Sequence, residues 1–409
     1  MNTQPNANKK TNTNNQLNIK RGNIEAVFNT IAESGGISRA RLSKTLSLSR
    51  STVTVIVDEL KSKGLVVDTG VCDEGSSGIG RTAFAVNVNS ADNYILGVGF
   101  TADTVMCVAY DLKIDPVAEE EIPFDISRTL IAEAVESCVR RLIARLPGKR
   151  IWALGCVSFV NSGFIDYRKN EFRLTDLSGI NRNGLALREL SERLDMPAHI
   201  SDGSIILGML EYRKYHRGSK VLAYIYITDG VCIGIFQDGK LLHGAYSPMS
   251  EFGHMSVDLA GPRCICGNRG CFEMYVSTNA LIRYYIEALG HEADALVAAA
   301  PSWAEIIDLY TGSDPYAEKA VARLNDALAV GITNLINLVN PDTVVLGGTL
   351  KKYGEDFLGR IREKALSSAI EQYRESPQIV YARHDDNLIL PGVAHDAYRQ
   401  FISTILFSQ

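Results

Sequence analysis

Apolar residues recur with a helical period in three segments near the start of the chain. In each segment they fall at positions such as i, i+3, i+4 and i+7, which is the spacing that places side chains on one face of an α-helix. The residues on the three apolar faces are Ile24, Val27, Phe28, Ile31, Leu42, Leu46, Val53, Ile56, Val57 and Leu60. The pattern therefore predicts three amphipathic helices that share a small core.

Short polar segments separate these helices. Gly35-Gly36 ends the first helix, and Ser38 is placed to cap the second, because a serine hydroxyl accepts hydrogen bonds from the free N–H groups at a helix start. The second and third helices are joined only by Ser47-Leu48-Ser49. So short a connection is typical of a helix-turn-helix.

A hairpin is predicted directly after the third helix. Residues 65–71 have the composition of a strand, and Phe84, Val86 and Val88 alternate with more polar residues as a returning strand. The Gly-rich segment 75–80 lies between them. Three helices followed by a two-stranded wing predict a winged helix-turn-helix.

The remainder of the chain alternates between strand-like and helical segments. The strand-like runs cover residues 95–100, 104–110, 151–158, 221–227, 232–236 and 343–346. Helical stretches such as 130–146 and 316–339 lie between them. The alternation predicts an α/β body of two sheet-based lobes. We therefore expect a disordered polar tail over 1–20, a winged helix-turn-helix domain over 21–89 and a sensor body over 90–409.

Composition and charge narrow the function. The chain has 46% hydrophobic and 22% charged residues, and it lacks both a secretory signal and the roughly 18–20 consecutive apolar residues of a membrane helix. We expect a cytoplasmic protein with no membrane partner. Residues 1–85 hold 11 Lys and Arg against 7 Asp and Glu, a net charge of +4, whereas the rest of the chain has a net charge of −9. A basic head on an acidic body suits a protein that meets a polyanion at one end.

The third helix is the candidate recognition helix, whose first residues would reach base edges in the major groove of double-stranded DNA. Arg50 is placed to bond a guanine bidentately, arginines before the turn suit phosphates, and hydroxyls suit bases or phosphates. Arg81, beside the Gly-rich loop, suits a minor groove. The candidate DNA contacts are Arg39, Arg41, Arg50, Ser51, Thr52, Thr54 and Arg81. The alternative is a solvated polar face, or a winged domain that contacts another protein.

A loop over residues 254–271 has the donor atoms of a metal site. Its candidate ligands are His254, Cys264, Cys266 and Cys271. Zinc favours four tetrahedral nitrogen and sulfur ligands, and the glycines and proline of the loop let a short segment wrap one ion. Four protein ligands leave no open position for water, so a structural zinc site is predicted. The alternative is a set of buried, reduced cysteines beside an unrelated histidine.

Several segments closely resemble the ROK family, which comprises repressors, open reading frames and sugar kinases. The most specific are 251–255 (EFGHM) and 264–273 (CICGNRGCFE). The head segments 37–42 (ISRARL) and 48–53 (LSRSTV) resemble those of ROK repressors, and 239–245 (GKLLHGA) and 340–348 (NPDTVVLGG) fit the family as well. The resemblance implies an actin-like, ribonuclease-H-like body of two lobes, a sugar in the cleft between them, and a homodimer or homotetramer.

The resemblance also implies which residues hold the sugar or sugar phosphate. The matching positions are Asp202, Glu251, His254 and Glu273, of which Asp202 corresponds to the catalytic base of the kinases. Carboxylates and an imidazole can exchange hydrogen bonds with the hydroxyls of a pyranose. His254 would bind zinc through one ring nitrogen and face the sugar with the other. The alternative is that Glu251 and Glu273 are surface acids near a metal loop.

The phosphate-binding segments depart from the kinase pattern. ROK kinases open with Asp-x-Gly-Gly-Thr, but the matching segment here, 99–104, is GFTADT. The second phosphate loop, usually Gly-Thr-Gly-rich, is TDGVC over 228–232, where Asp229 would repel a phosphate. We therefore expect no enzyme activity and predict a sugar-responsive repressor of carbohydrate-utilisation genes. The alternatives are a ROK sugar kinase with an appended DNA-binding domain, and a regulator controlled by a protein partner with a vestigial sugar site.

Overall fold

The computed structural model describes residues 7–71, 84–91, 93–146, 150–160, 163–174, 183–245, 251–290, 300–375 and 377–405. The chain forms two compact units and passes between them four times. The first unit comprises Met1–Cys156, Leu187–Ile200 and Val393–Gln409, and the second comprises Val157–Ala186 and Ser201–Gly392. Within the part of the chain that is described, no helix combines the length and the apolar character needed to cross a membrane.

The first elements of the chain are three helices and a small sheet. They are α1 (Ala7–Ser34), β1 (Ile37–Ser38), α2 (Arg39–Leu46), α3 (Arg50–Ser62), β2 (Val66–Val71) and β3 (Phe84–Val88). The sheet order is β1-β3-β2, and both pairings are antiparallel. The predicted winged helix-turn-helix is therefore present, and its wing strands gain a third partner because β1 pairs with β3.

The apolar faces predicted from periodicity form the core of this domain. Nine of the ten predicted positions are buried, and only Leu46 is partly exposed. Ser38 caps α2 by accepting a hydrogen bond from the Arg41 N–H at 3.2 Å. Ser47 adopts the left-handed conformation, with φ 53°, and so turns the chain from α2 into α3. The tight turn predicted over 47–49 is confirmed.

The segment predicted to be a disordered tail differs from that expectation, because α1 already begins at Ala7. Neither glycine nor proline occurs between Ala7 and Arg21, so no residue in this stretch forces the backbone out of the helix. Polar residues other than proline are compatible with helical backbone, so the helix can extend beyond its apolar segment. The apolar periodicity therefore marks the anchored part of α1 and not its beginning.

The next elements build the first five-stranded sheet and a smaller one. They are β4 (Asn93–Phe100), β5 (Thr104–Asp111), β6 (Pro116–Pro123), α4 (Ile131–Arg145), β7 (Arg150–Ser158), β8 (Gly163–Asp166), β9 (Glu171–Leu174), β10 (Gly184–Ala186), α5 (Leu187–Leu194) and β11 (Ala198–Ile200). The large sheet has the order β11-β7-β4-β5-β6, and the small one has the order β10-β9-β8. The buried face of α4 covers β5 and β6.

The last part of the chain repeats the same plan. Its elements are α6 (Gly203–Tyr215), β12 (Val221–Ile227), β13 (Val231–Gln237), β14 (Lys240–Leu241), α7 (Glu273–Val276), α8 (Thr278–Ala288), α9 (Trp303–Thr311), α10 (Pro315–Val339), β15 (Thr343–Gly348), α11 (Gly354–Ser368), β16 (Gln378–Tyr381) and α12 (Ile389–Ile405). The sheet order is β14-β13-β12-β15-β16. Counted from its first strand, this is the order of the first sheet, so both units contain the same strand topology. The predicted strands and helices all fall on observed elements.

The winged helix and the first sheet belong to the same compact unit. The domain bounds 21–89 and 90–409 stay a prediction. Helix α12 provides the contact within this unit. The ring of Phe28 on α1 meets that of Tyr398 edge to face, with centroids 5.4 Å apart. Glu25 on α1 and Arg399 on α12 form an ion pair at 3.8 Å. The three-helix segment therefore packs against α12 within the first unit.

Candidate functional sites: recognition helix, metal centre and ligand residues

Helix α3 begins with a network of hydroxyl groups. The Ser49 side chain accepts a hydrogen bond from the Thr52 N–H at 3.1 Å, and its Oγ also lies 2.8 Å from the hydroxyls of Ser51 and Thr52. The Thr54 hydroxyl donates to the Arg50 carbonyl at 2.8 Å. Three of the predicted DNA contacts therefore have local partners, while the Arg50 side chain is exposed at the first position of the helix.

The cap predicts a measurable local stability. Ser49→Ala removes the acceptor for the Thr52 N–H and is expected to destabilise α3 by about 1 kcal/mol. Hydrogen exchange of the 50–62 amides, followed by mass spectrometry, should accelerate roughly fivefold if these amides exchange through local opening of α3. Ser49→Asp keeps an acceptor and should leave exchange close to that of the unmodified protein. Equal exchange in all three proteins would show that the cap contributes nothing.

The arginines predicted to contact phosphates differ in their surroundings. Arg39 forms an ion pair with Asp58 of α3 at 2.8 Å, so its positive charge already has a partner within the same domain. Arg41 is exposed on α2. Arg81 lies outside the residues that the structure describes. Between Arg39 and Arg41, the two that the structure describes, Arg41 is the exposed one, and no ion pair is assigned to it among the described residues.

The structure brings the four predicted metal ligands together. The ligand atoms of His254, Cys264, Cys266 and Cys271 all lie within 4.8 Å of one another. His254 Nδ1 is 3.6 Å from Cys264 Sγ, and Cys266 Sγ is 3.6 Å from Cys271 Sγ. A tetrahedral zinc ion with Zn–S bonds of about 2.3 Å places its sulfurs about 3.8 Å apart. The donor set and its spacing therefore fit a tetrahedral metal ion.

The polypeptide around the cluster is folded by its own backbone. The Cys264 N–H donates to the Asn268 carbonyl at 2.9 Å, and the Gly267 N–H donates to the Cys264 carbonyl at 3.0 Å. Gly270 has a φ of 65°, and a Cβ there would lie 1.7 Å from the Asp258 carbonyl oxygen. Only glycine fits this position, because any side chain would push the two strands of the loop apart.

Two aromatic residues anchor the metal loop to the core of the second unit. Phe272 follows Cys271 and is fully buried, and its ring meets that of Phe252 edge to face at 5.3 Å. A Cβ on Gly331 of α10 would lie 2.2 Å from the Phe272 ring. Glycine at that position therefore lets the ring enter the core, and the Cys₃His loop is fixed to the buried face of a long helix.

The four predicted ligand residues have distinct local roles. Asp202 caps α6, accepting from the N–H and the hydroxyl of Ser204 at 2.8 and 2.5 Å. Glu273 accepts from the Val231 N–H at 3.0 Å. Glu251 is largely exposed, and its carboxylate lies 3.9 Å from His254 Nε2, the ring nitrogen that faces away from the sulfurs. His254 thus turns one nitrogen to the cluster and the other to Glu251.

Cys232 is a residue of this region that the sequence analysis did not single out. Burial raises the pKa of its thiol, the carboxylates of Asp202, Glu251 and Glu273 raise it further, and a hydrogen bond with Ser204 lowers it. The thiol therefore stays protonated, with three predicted ligand residues close enough to act on it. The alternation of side chains along β13 predicts that Cys232 lies on the face opposite to Val231 and Ile233. This alternation is the sequence signal from which its position could have been predicted.

Each segment that corresponds to a phosphate loop contains an aspartate with an internal partner. The Thr278 hydroxyl donates to Asp229, and the Thr278 N–H donates to the Thr228 carbonyl at 2.9 Å. In the hairpin after β4, the Thr101 hydroxyl donates to Asp103 at 2.6 Å and lowers the pKa of that carboxyl. A carboxylate side chain at either position would repel a phosphate group without a metal ion.

Comparison with known proteins places these features in context. Residues 95–397 match the ROK family, and residues 22–67 match the winged helix-turn-helix DNA-binding family. The xylose repressor of Bacillus spizizenii is 25% identical over 399 residues, which cover 95% of this chain and 98% of the repressor. A ROK family transcriptional regulator, described as a homologue of Escherichia coli Mlc, has a similar solved structure, with a TM-score of 0.76 at 21% identity over 95% of this chain and 98% of that one.

A kinase is also among the similar structures. The ROK family glucokinase of Streptomyces griseus, solved with glucose and AMPPNP, gives a TM-score of 0.59 at 22% identity. It covers 75% of this chain and 99% of the glucokinase. The predicted fold, a winged helix-turn-helix joined to an actin-like α/β domain, is confirmed by these matches. The chain belongs to the ROK family and carries a winged helix-turn-helix DNA-binding domain.

Proposed function

We propose that this ROK protein is a transcriptional regulator that represses carbohydrate-utilisation genes by binding operator DNA through α3. The observation that carries the proposal is the exposed Arg50 guanidinium at the start of α3, on a helix whose opposite face is buried in a winged helix. The first residues of such a helix meet base edges in the major groove. The alignment with the xylose repressor includes almost the whole of both chains, which supports the same class of function.

Kinase activity is absent in this proposal. A phosphoryl donor needs backbone N–H groups and positive charge around its phosphates. The two corresponding loops instead contain the carboxyl side chains of Asp103 and Asp229, and Asp229 accepts a hydrogen bond from Thr278. Asp202, the counterpart of the kinase base, accepts hydrogen bonds from Ser204 as a helix cap. Without a bound donor, this carboxylate has no phosphoryl transfer to assist.

The effector in this proposal is a sugar or a sugar phosphate held by Asp202, Glu251, His254 and Glu273. Support comes from the hydrogen-bond donors and acceptors that these side chains offer. Asp202, Glu251 and Glu273 all lie near Cys232, and His254 lies near Glu251. Sugar binding would change the affinity for DNA, and such coupling free energies are typically about 1–3 kcal/mol. The relatives named as repressors support a sugar as the signal.

Zinc and self-association complete the proposal. The Cys₃His cluster would hold a structural Zn²⁺ ion, because all four positions of a tetrahedral ion are taken by protein ligands. The zinc would fix the loop from which His254 faces Glu251. A homodimer or homotetramer would place paired recognition helices on two operator half-sites about one turn of DNA apart.

The proposal is tested with the full-length protein and a library of random DNA duplexes. The protein should retain a subset of the duplexes. Its affinity for them should fall by roughly 10³ or more between about 50 and 200 mM salt if it contacts six or more phosphates. One member of a sugar and sugar-phosphate panel should then change that affinity. The same preparation should show no sugar-dependent ATP consumption.

Each outcome of this experiment decides between classes of function. Retention of no duplex under any salt condition would contradict the regulator. Sugar-dependent ATP consumption would identify a kinase with an appended domain. Duplex binding that no sugar or sugar phosphate affects, together with no binding of the panel by calorimetry, would favour control by a protein partner and exclude the proposed effector class.

A further inference from the structure

Helix α3 presents one apolar side chain to solvent. Val55 is 62% exposed. The other apolar residues of α3, which the structure describes in full, are buried and form its inner face: Val53, Ile56, Val57 and Leu60. A β-branched residue is a poor helix former and, at an exposed position, its apolar surface is not removed from water. The position of Val55 therefore contributes little to the fold of the isolated head.

Val55 belongs to the same exposed face as the candidate base contacts. Ser51 and Thr54 are also exposed, and Val55 lies one helical turn beyond Ser51. The rise of an α-helix separates Val55 from Arg50 by about 7.5 Å along the axis. This separation is large enough for the two side chains to contact different base pairs within one major groove.

The polar groups around Val55 are already engaged inside the head. The hydroxyl of Ser51 lies 2.8 Å from that of Ser49, the Thr54 hydroxyl donates to a backbone carbonyl, and Asp58 is paired with Arg39. Any of these groups that contacts a base must first give up or share its present partner. The Val55 methyl groups on this face, and the Arg50 guanidinium about 140° around the helix at its first position, can meet a base without such an exchange.

The chemistry of an exposed isopropyl group in the major groove selects one feature of DNA. Among the four bases only thymine presents a methyl group there, and aliphatic side chains contact it directly. We propose that Val55 is a specificity-determining residue that reads a thymine through its 5-methyl group, beside the base contacted by Arg50. This inference rests on the proposed DNA-binding function and adds a second, apolar determinant to it.

The test removes the methyl group of thymine and then, in the protein, the two methyl groups of Val55. Duplexes retained by the full-length protein from a random library provide the binding site. Each thymine in that site is replaced singly by deoxyuridine, which differs only by the 5-methyl group. At one thymine of a half-site the replacement should weaken binding about fourfold. This is the effect expected from the loss of one methyl group that is buried in the interface.

The variant V55A should abolish that difference. It shortens the side chain and improves helix propensity, so the head should remain folded. Its affinities for the thymine and deoxyuridine duplexes should agree within about 1.5-fold, because the coupling between the Val55 side chain and the thymine methyl group is lost. V330A is the matched control, because Val330 is a half-exposed valine on α10 of the other unit. This control should retain the fourfold preference.

Four results would overturn the inference. A site in which no thymine shows a methyl effect would contain no contact with a thymine methyl group. A methyl effect that persists in V55A would assign that contact to another residue. An equal loss by V55A on every duplex, including unselected DNA, would indicate a nonspecific role. Unchanged DNA binding in V55A would show that Val55 does not contact DNA. Failure to retain any duplex would instead refute the proposed function, so the two failures are distinguishable.

Discussion

Replacement of Cys271 by serine is expected to abolish stoichiometric zinc binding and to destabilise the second unit by more than about 4 kcal/mol. Loss of a structural metal is one of the few single changes with so large an effect. Cys271 is fully buried, its Sγ lies 3.6 Å from that of Cys266, and the adjacent Phe272 anchors the loop in the core. Without the metal, the loop loses the contacts that hold its ends together.

Metal analysis and thermal unfolding of the full-length protein check this expectation. The unmodified protein should hold about one zinc per chain, and a chelator should lower its unfolding temperature as the variant does. Cys138→Ser is a useful control, since Cys138 is a thiol of the first unit with no part in the cluster. That variant should keep its zinc. Unmodified protein with less than about half an equivalent of zinc, and unchanged stability on replacing Cys271, would disprove a structural zinc site.

The second large effect is expected from Arg50→Ala at the recognition helix. A bidentate arginine–guanine pair contributes about 1–3 kcal/mol of discrimination, so affinity for the selected site should fall by roughly 5- to 150-fold. Preference for guanine at the contacted position should disappear as well. Titration of matched duplexes that differ only at that base pair measures both changes.

Two further variants separate a base contact from a simple charge effect. Arg50→Lys keeps the positive charge but loses the planar fork of donors, and it should lose most of the guanine preference. Arg41→Ala, at an exposed position on α2, should weaken binding on all sequences alike and reduce the slope of affinity against salt by about one. If Arg50→Ala behaves as Arg41→Ala is expected to, Arg50 contacts a phosphate and not a base.

The winged helix was predictable because its signals are local. Apolar residues spaced for one helix face, a serine cap and a three-residue turn each depend on neighbours in the sequence. Strand β1, in contrast, is only two residues long, and it is defined by pairing Ile37 and Ser38 with β3. The upstream part of α1 lacks an apolar period and so gives no comparable signal. Pairings across long sequence separations and solvated helix extensions were therefore missed.

In the candidate sites, too, the features with local sequence signals were predictable and those that depend on tertiary structure were not. The cluster of one histidine and three cysteines was predictable because its three cysteines fall within residues 264–271. The position of Cys232 among Asp202, Glu251 and Glu273 depends on β13 packing beside α6 and on the following loop. No local spacing connects these residues, and their proximity is a product of tertiary structure.

The repeated passage of the chain between its two units has a consequence for engineering and for evolution. Helix α12 starts in the second unit, ends in the first and contacts α1 through Tyr398 and Arg399. A chimera that exchanges only residues 1–89 would therefore present a foreign α1 to this α12 and break the Phe28–Tyr398 contact. Helices α1 and α12 therefore have to be exchanged together, although they lie far apart in the sequence. Substitutions on the outer face of α3 leave the Phe28–Tyr398 contact untouched, because Phe28 lies on α1.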